Sequence, residues 1–447
     1  MMHLTEFLGM VLVLAGLLRV YMLFNSNGYL PAPFVFDVAD TFMDWFNTAF
    51  WAHNGDAYSS WRTIYLPLSF VITGFFGDPR CYGNRPYDAR DCDIFGIVFI
   101  LLMYAGCVLV SWLAFRKQDR STAFFRTVAI GAGGPLLYAL ERGQLIMLTY
   151  IAMVMLYGNL ITTRNQYIAT AAFMANTKVY MVFPLFSLVI KRRWRLFELC
   201  GFASVALYVV TLAIVNEGTP LEIVSNLQNW FSVRLGTVWD EMLYSTTYKP
   251  FLQLDVYQFP VRDFINQEYV DAAVIFIKSY VISSRLAAFI CIGLAWLYPK
   301  AITTPRLVYF ILMQSFINQN PGGYAITLIA FLLLLEKARN PATTIAVIGA
   351  YLMSVPGDVP LVKLIDVTRT SWLSGQYVLS EYVAPWGALI RPGIIAIVLW
   401  ALVIDSMIAF HRAMRSGPAT WGLAGRYPVV EEEVSTPPRQ PAREAQT

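Results

Sequence analysis

An all-α integral membrane protein crossing the bilayer about ten times is the fold class this sequence predicts, on three observations. Only 14% of the 447 residues are charged while 57% are apolar, against roughly a quarter charged in soluble domains. The apolar residues gather in blocks such as 4–24, 94–115 and 394–410, each near the ~20 residues a helix needs to cross ~30 Å of hydrocarbon. The blocks are continuous rather than alternating, which favours helices over a barrel. A formal charge of +4 without a basic stripe interleaved with aromatics speaks against nucleic acid. The expected environment is a lipid bilayer.

Basic clusters mark the cytoplasmic side, and they order the spans. They are Arg116-Lys117-Gln118-Asp119-Arg120, the run 191–195, Lys300 with Arg306, Lys337 with Arg339, and Arg412 with Arg415. Helix one (4–24) lacks a basic start and a small-residue cleavage site, so it reads as a retained span running outward. Residues 25–93 form a long outer loop. Helix two (94–115) returns. Helices three (122–140) and four (145–161) make a hairpin whose outer turn is Glu141-Arg142-Gly143-Gln144. Both flanks of 165–190 look cytoplasmic and its middle, Asn176-Thr177-Lys178, is polar, so it reads as a re-entrant hairpin. Lys178 lies 14 residues beyond Arg164, or about 21 Å at helical rise. Helix five (196–216) goes out, 217–280 is a second outer segment, and helix six (281–298) returns. Helices seven (303–318) and eight (324–338) flank the turn Asn318-Gln319-Asn320-Pro321-Gly322-Gly323. Helix nine (342–355) leads to a third outer loop (356–392), and helix ten (393–411) ends the membrane domain, 1–412. The tail 413–447, rich in Pro, Glu, Arg and Ser, is expected to be disordered and cytoplasmic.

The polar residues concentrate outside. Asp37, Asp40 and Asp44 recur at steps of three and four, which on a helix is one face. The alternatives are the solvated edge of an interfacial helix anchored by Phe36, Phe42, Trp45 and Phe46, or carboxylates put to use. Tyr65 and Pro67 introduce the short apolar stretch 66–76, read as an interfacial helix. Cys81 and Cys92 flank the polar stretch 82–91 and would share an oxidising compartment, where a disulfide is plausible. An ionisable residue within a membrane segment is costly, which makes Lys178 a site hypothesis. Lys178 and Arg142 together could hold an anionic group such as a phosphate.

In this order the motifs resemble the GT-C glycosyltransferases, and within them glycosyltransferase family 87. The resemblance rests on Asp40-Thr41-Phe42-Met43-Asp44-Trp45-Phe46-Asn47 with Gly55-Asp56-Ala57-Tyr58 and Tyr65-Leu66-Pro67. It rests also on Glu141-Arg142-Gly143-Gln144, and on Thr177-Lys178-Val179-Tyr180 with Pro184 before the basic run. It covers about the first half of the chain. In the second half the polar turn Gln319-Asn320-Pro321-Gly322-Gly323-Tyr324 stands where related enzymes often carry a histidine.

The resemblance implies a GT-C-like bundle in the bacterial inner membrane with its site on the extracytoplasmic side. It implies transfer of a single sugar from a polyprenyl-phosphate donor to an envelope glycolipid or polysaccharide acceptor. Asp44, with Asp40 second, would be the general base, and direct displacement predicts inversion. Lys178 and Arg142 would bind the donor phosphate. Asp37, Glu141, Gln144, Tyr65 and Asn320 would contact substrate. No metal or other cofactor is expected. The competing classes are a flippase or carrier for lipid-linked sugars, which should show inverted repeats, and an envelope polysaccharide polymerase.

Overall fold

The computed structural model describes residues 2–34, 37–232, 248, 266–317 and 322–415. α1 (Met2–Asn27) leads into a connection carrying α2 (Met43–Asn54), α3 (Pro67–Phe76) and α4 (Pro86–Cys92). Prolines at the first positions of α3 and α4 start those helices, where a missing N–H costs nothing. α5 (Ile94–Gln118) is capped by Asp93, whose carboxylate accepts from the Gly96 N–H at 3.0 Å. Next come α6 (Ala123–Gly131), α7 (Gly134–Arg142), α8 (Ile146–Tyr157) and α9 (Arg164–Thr177). A 3-10 stretch, Val179–Leu185, then runs into α10 (Phe186–Ile190). α11 (Trp194–Val215), α12 (Pro220–Ser232), α13 (Gln267–Leu297) and α14 (Thr304–Phe316) follow. A 3-10 turn, Gly323–Ala325, opens α15 (Ile326–Leu334), and α16 (Pro341–Ser354) comes after it. An antiparallel hairpin of β1 (Pro360–Thr370) and β2 (Tyr377–Pro385) precedes α17 (Gly387–Arg415).

Among the described residues, α1, α5, α11, α13 and α17 are long and apolar enough to cross a membrane. Counting α6 and α7, which meet at a bend of 40°, as one span gives six. These long helices form the periphery: no more than 39% of any of their best apolar windows is buried. The short apolar helices fill the centre, and every residue of α15 is buried. Peripheral helices must match the bilayer because lipid cannot hydrogen-bond to exposed backbone. Central helices are shielded by protein and can stop short. α8, α9, α14 and α16 have 12 to 14 residues, about 18–21 Å against ~30 Å of hydrocarbon.

Polar contacts join neighbouring elements at the basic end. Lys191 donates to Pro299 O and Ile302 O at 2.5 and 2.6 Å. Arg126 pairs with Glu6 at 2.6 Å, and Arg306 pairs with Glu336 and Asp405, both at 2.6 Å.

Several boundaries differ from the sequence reading. The third apolar block is broken at Ala132–Gly133, where Gly and the following Pro135 interrupt the helical ladder. Helix six begins at Gln267 rather than 281 and spans 31 residues, about 46 Å. Its first half mixes Glu268, Asp271 and Lys278 with exposed Tyr269, Ile275 and Phe276, which blurs the apolar signal without breaking the helix. Helix ten begins at Gly387. The loop expected over 356–392 holds the β-hairpin, whose strands carry no strict alternation of apolar and polar residues to announce them. The tail lies outside the described residues from 416 onward; Ala413–Arg415 belong to α17.

The hairpin lies over the connection between α1 and α5. Trp372 donates its backbone N–H to Val38 O at 3.1 Å, and the Ser374 hydroxyl donates to Gly28 O at 2.6 Å. The Glu381 N–H donates to the Tyr29 hydroxyl at 3.1 Å. At its base Arg391 of α17 pairs with Asp358 at 2.7 Å.

Candidate functional site

Two helix ends meet to build the site. α7 ends in Arg142, and Gly143 follows in the left-handed conformation at φ 64°. The Gly143 N–H donates to Leu140 O and the Gln144 N–H to Ala139 O, a Schellman closure that satisfies the last carbonyls. Gly143 has a second reason to be glycine. A Cβ there would lie 3.0 Å from Phe42 O and 3.1 Å from the Trp45 Cβ, at the start of α2. Phe42, itself at φ 65°, donates its N–H to Glu141 O at 2.7 Å. Asp44 sits in the first turn of α2, where the helix dipole favours an anion.

Asp37, Asp40 and Asp44 do not share a helix. α2 starts only at Met43, because Asp37 accepts the Ala39 N–H on its own carboxylate at 3.0 Å, a local bond that competes with helix. Asp40 and Asp44 nevertheless converge on one guanidinium. Arg142 donates to Asp40 at 2.9 Å and to Asp44 at 2.7 Å. Gln144 donates to the other Asp44 oxygen at 2.7 Å. The Tyr65 hydroxyl lies 3.2 Å from the Gln144 nitrogen. Burial first, then the Asp44 charge, holds the Tyr65 phenol well above its ordinary range, so it keeps its proton and can donate.

Lys178 completes the cluster from the break between α9 and the 3-10 stretch. Asn176 donates to Ala172 O and Ser204 O, and Thr177 to Met174 O. The chain then turns extended at Lys178, φ −144°. The ammonium lies 4.5 Å from the centre of the Tyr65 ring and 5.8 Å from that of Tyr324. It has no hydrogen-bond acceptor or ion-pair partner among the described residues. Asp44 is the carboxylate whose charge acts on it.

The other candidates fall elsewhere. Asp37 pairs with Arg369 of the hairpin. Glu141 and Asp37 border a space of about 10 Å³ with Ser371 and Leu373, room for one water at most. Asn320 lies outside the described residues. Arg142, expected at a donor phosphate, spends its guanidinium on the two aspartates. A groove of about 530 Å³ lies away from these charges, among Tyr280, Ile345 and Trp400. The Trp400 Nε1 there is occupied by Ser284 at 3.2 Å.

Sequence reasoning missed Tyr324 and Tyr87. The Tyr87 hydroxyl donates to Asp40 at 2.8 Å, and burial together with that bond pushes its phenol up to about 12. The only signal for Tyr87 was its place between the two cysteines. Cys81 and Cys92 are joined in a disulfide, which fixes α4 to the turn before it. Cys81→Ser is expected to cost about 3 kcal/mol, the scale for closing a short loop. Wild-type melting temperature should fall when reductant is added, and that of Cys81→Ser should not respond.

No family model, curated protein or solved structure matches the chain.

Proposed function

We propose that this chain is a membrane glycosyltransferase. It takes one sugar from a polyprenyl-phosphate donor and passes it to a glycolipid or polysaccharide acceptor on the extracytoplasmic side of a bacterial inner membrane. The observation that carries this reading is the meeting of Asp44 with Lys178 across Tyr65: a carboxylate beside an ammonium that has no ion-pair partner among the described residues. In the ten-span arrangement, α6 and α7 count as one bent span and 164–190 as a re-entrant hairpin. Lys178 then lies about 21 Å from the cytoplasmic ends, below the outer surface, where irregular backbone requires a polar or protein lining.

The chemistry follows from these groups. Asp44 accepts the proton of an acceptor hydroxyl. That oxygen attacks the anomeric carbon opposite the phosphate, and the bond from carbon to phosphate oxygen breaks. Its electron pair stays on the departing polyprenyl phosphate, whose growing negative charge Lys178 offsets. One displacement inverts the anomeric centre. Arg142 acts as a strut that holds Asp40 and Asp44 in place, and Gln144, itself bonded to the Tyr65 hydroxyl, orients the Asp44 carboxylate.

Purified protein incubated with labelled polyprenyl-phosphate sugars and envelope extract tests the reading. Free polyprenyl phosphate should appear together with labelled acceptor. A flippase would release none, and its absence with every donor in the panel would refute transfer. Lys178→Met should raise the donor KM roughly 10- to 100-fold, the worth of a charge-assisted contact, with little change in acceptor KM. Equal changes in both would remove Lys178 from the donor site.

A further inference from the structure

We infer that Arg90 is a positioning residue for the Asp40–Asp44 pair, locked in place by Trp372 at the tip of the β-hairpin. The inference rests on the transferase reading only for what the pair does. The segment that carries Asp40 has no regular structure, and it ends at Phe42, a bulky residue at positive φ. Such a conformation persists only where its surroundings over-determine it. Arg90 supplies much of that constraint. One of its nitrogens donates to Ala39 O at 2.5 Å and to Thr41 O at 3.0 Å, the carbonyls on either side of Asp40. Its side chain is 5% exposed. Tyr87, one turn earlier on α4, holds the Asp40 carboxylate itself, so a single short helix grips both the backbone and the side chain of Asp40.

Arg90 is in turn held from a distant part of the chain. Its guanidinium carbon lies 4.9 Å from the centre of the Trp372 ring and 5.4 Å from that of Tyr87. Cationic planes stack well on such faces. Trp372 donates Nε1 to Asp91 at 2.9 Å, and Asp91 also accepts from the Arg90 Nε at 3.3 Å. The Trp372 backbone N–H donates to Val38 O, and its ring meets Phe42 at 5.3 Å, edge to face. The late hairpin thus bears on the aspartate segment through Arg90, Val38 and Phe42 together. A lysine at position 90 presents a point charge and cannot reproduce the planar stack with its fixed donors.

Hydrogen–deuterium exchange over 37–44, read beside transfer kinetics, tests the inference. In Arg90→Lys and in Trp372→Ala the amides of this segment should exchange at least tenfold faster than in wild type. Turnover should fall roughly 10²-fold, the scale for a reacting group misplaced by about an ångström, with donor and acceptor KM unchanged. Trp372→Phe keeps a ring face and should restore most of both readouts. Lys363→Ala, at the open end of the same hairpin, should alter neither. Wild-type exchange in folded Arg90→Lys or Trp372→Ala overturns the inference, as does an equal effect of Trp372→Phe and Trp372→Ala. Exchange needs no activity, so a wild-type protein inactive on every donor sinks the transferase reading and leaves the exchange result to decide the role of Arg90. If Arg90→Lys does not fold, the two Trp372 variants decide it.

Discussion

Asp44→Asn should lower sugar transfer by about 10²–10⁴-fold, the usual worth of a general base, while leaving the fold intact. The exchange keeps size and shape but removes the charge and the basic lone pairs. Arg142 would still pair with Asp40 at 2.9 Å, so no guanidinium is left buried without a counter-charge. Gln144 donates to Asp44 in wild type and would meet an amide instead, which an amide flip can accommodate. Asp40→Asn is the informative comparison. Asp40 already accepts from Tyr87 and Arg142, and it lies on the far side of the guanidinium from Gln144 and Tyr65. Its loss should disturb geometry more than proton transfer, giving a smaller fall in rate. Initial rates in a lipid-donor assay, with melting temperatures of both variants, check the expectation. Activity of Asp44→Asn within threefold of wild type would exclude it as the base.

Arg126→Met should be the most destabilising single change at the opposite end of the molecule, by about 3–5 kcal/mol. Arg126 and Glu6 are 2% and 1% exposed, joined by two bonds of 2.6 and 2.9 Å. The Tyr351 hydroxyl donates to the same Glu6 carboxylate at 3.1 Å, and Arg126 also donates to Leu334 O. The cluster joins α1, α6, α15 and α16. Removing the guanidinium leaves a carboxylate buried without its counter-charge, which is why the cost exceeds that of an ordinary contact. The double variant Glu6→Leu/Arg126→Met should recover most of the loss, since an apolar pair does not have to be desolvated. By contrast, the solvent-exposed pair Lys363–Glu381 should tolerate Lys363→Ala without measurable change in stability. Thermal unfolding in detergent measures all of these.

The sequence carried the periphery of the fold more plainly than its centre. α1, α5, α11 and α17 stand out because each must satisfy its backbone within an apolar stretch that faces lipid. The broken α6–α7 pair had its signal in Gly131-Ala132-Gly133-Gly134-Pro135, yet the apolar content on both sides hid it. The disulfide and the helix break at Lys178 were legible, the first from spacing and compartment, the second from polar residues in a segment between two basic flanks. Of the site, the Glu141–Gln144 turn and the acidic run were visible as separate motifs. Their pairing through Arg142 was not, because nothing in the residues of Arg142 or Asp40 reveals a partner about 100 positions away. The same holds for Arg369 and Trp372, which reach the first connection from the other end of the chain. The hairpin itself gave little periodic signal, because β1 sets apolar pairs between single polar residues instead of alternating them.

A cysteine at position 178 gives the most direct test of the proposal that an outward-facing ammonium beside Asp44 carries sugar transfer. The native free cysteines, Cys107, Cys200 and Cys291, are buried, so Lys178→Cys supplies the one accessible thiol among the described residues. Oriented vesicles are treated with the membrane-impermeant trimethylammonioethyl methanethiosulfonate, whose quaternary nitrogen restores a fixed positive charge, or with its neutral methyl analogue. Applied from the extracytoplasmic side, the cationic reagent should restore transfer and the neutral one should not. Modification that occurs only from the cytoplasmic side, or complete cationic modification without any return of transfer, would contradict the account.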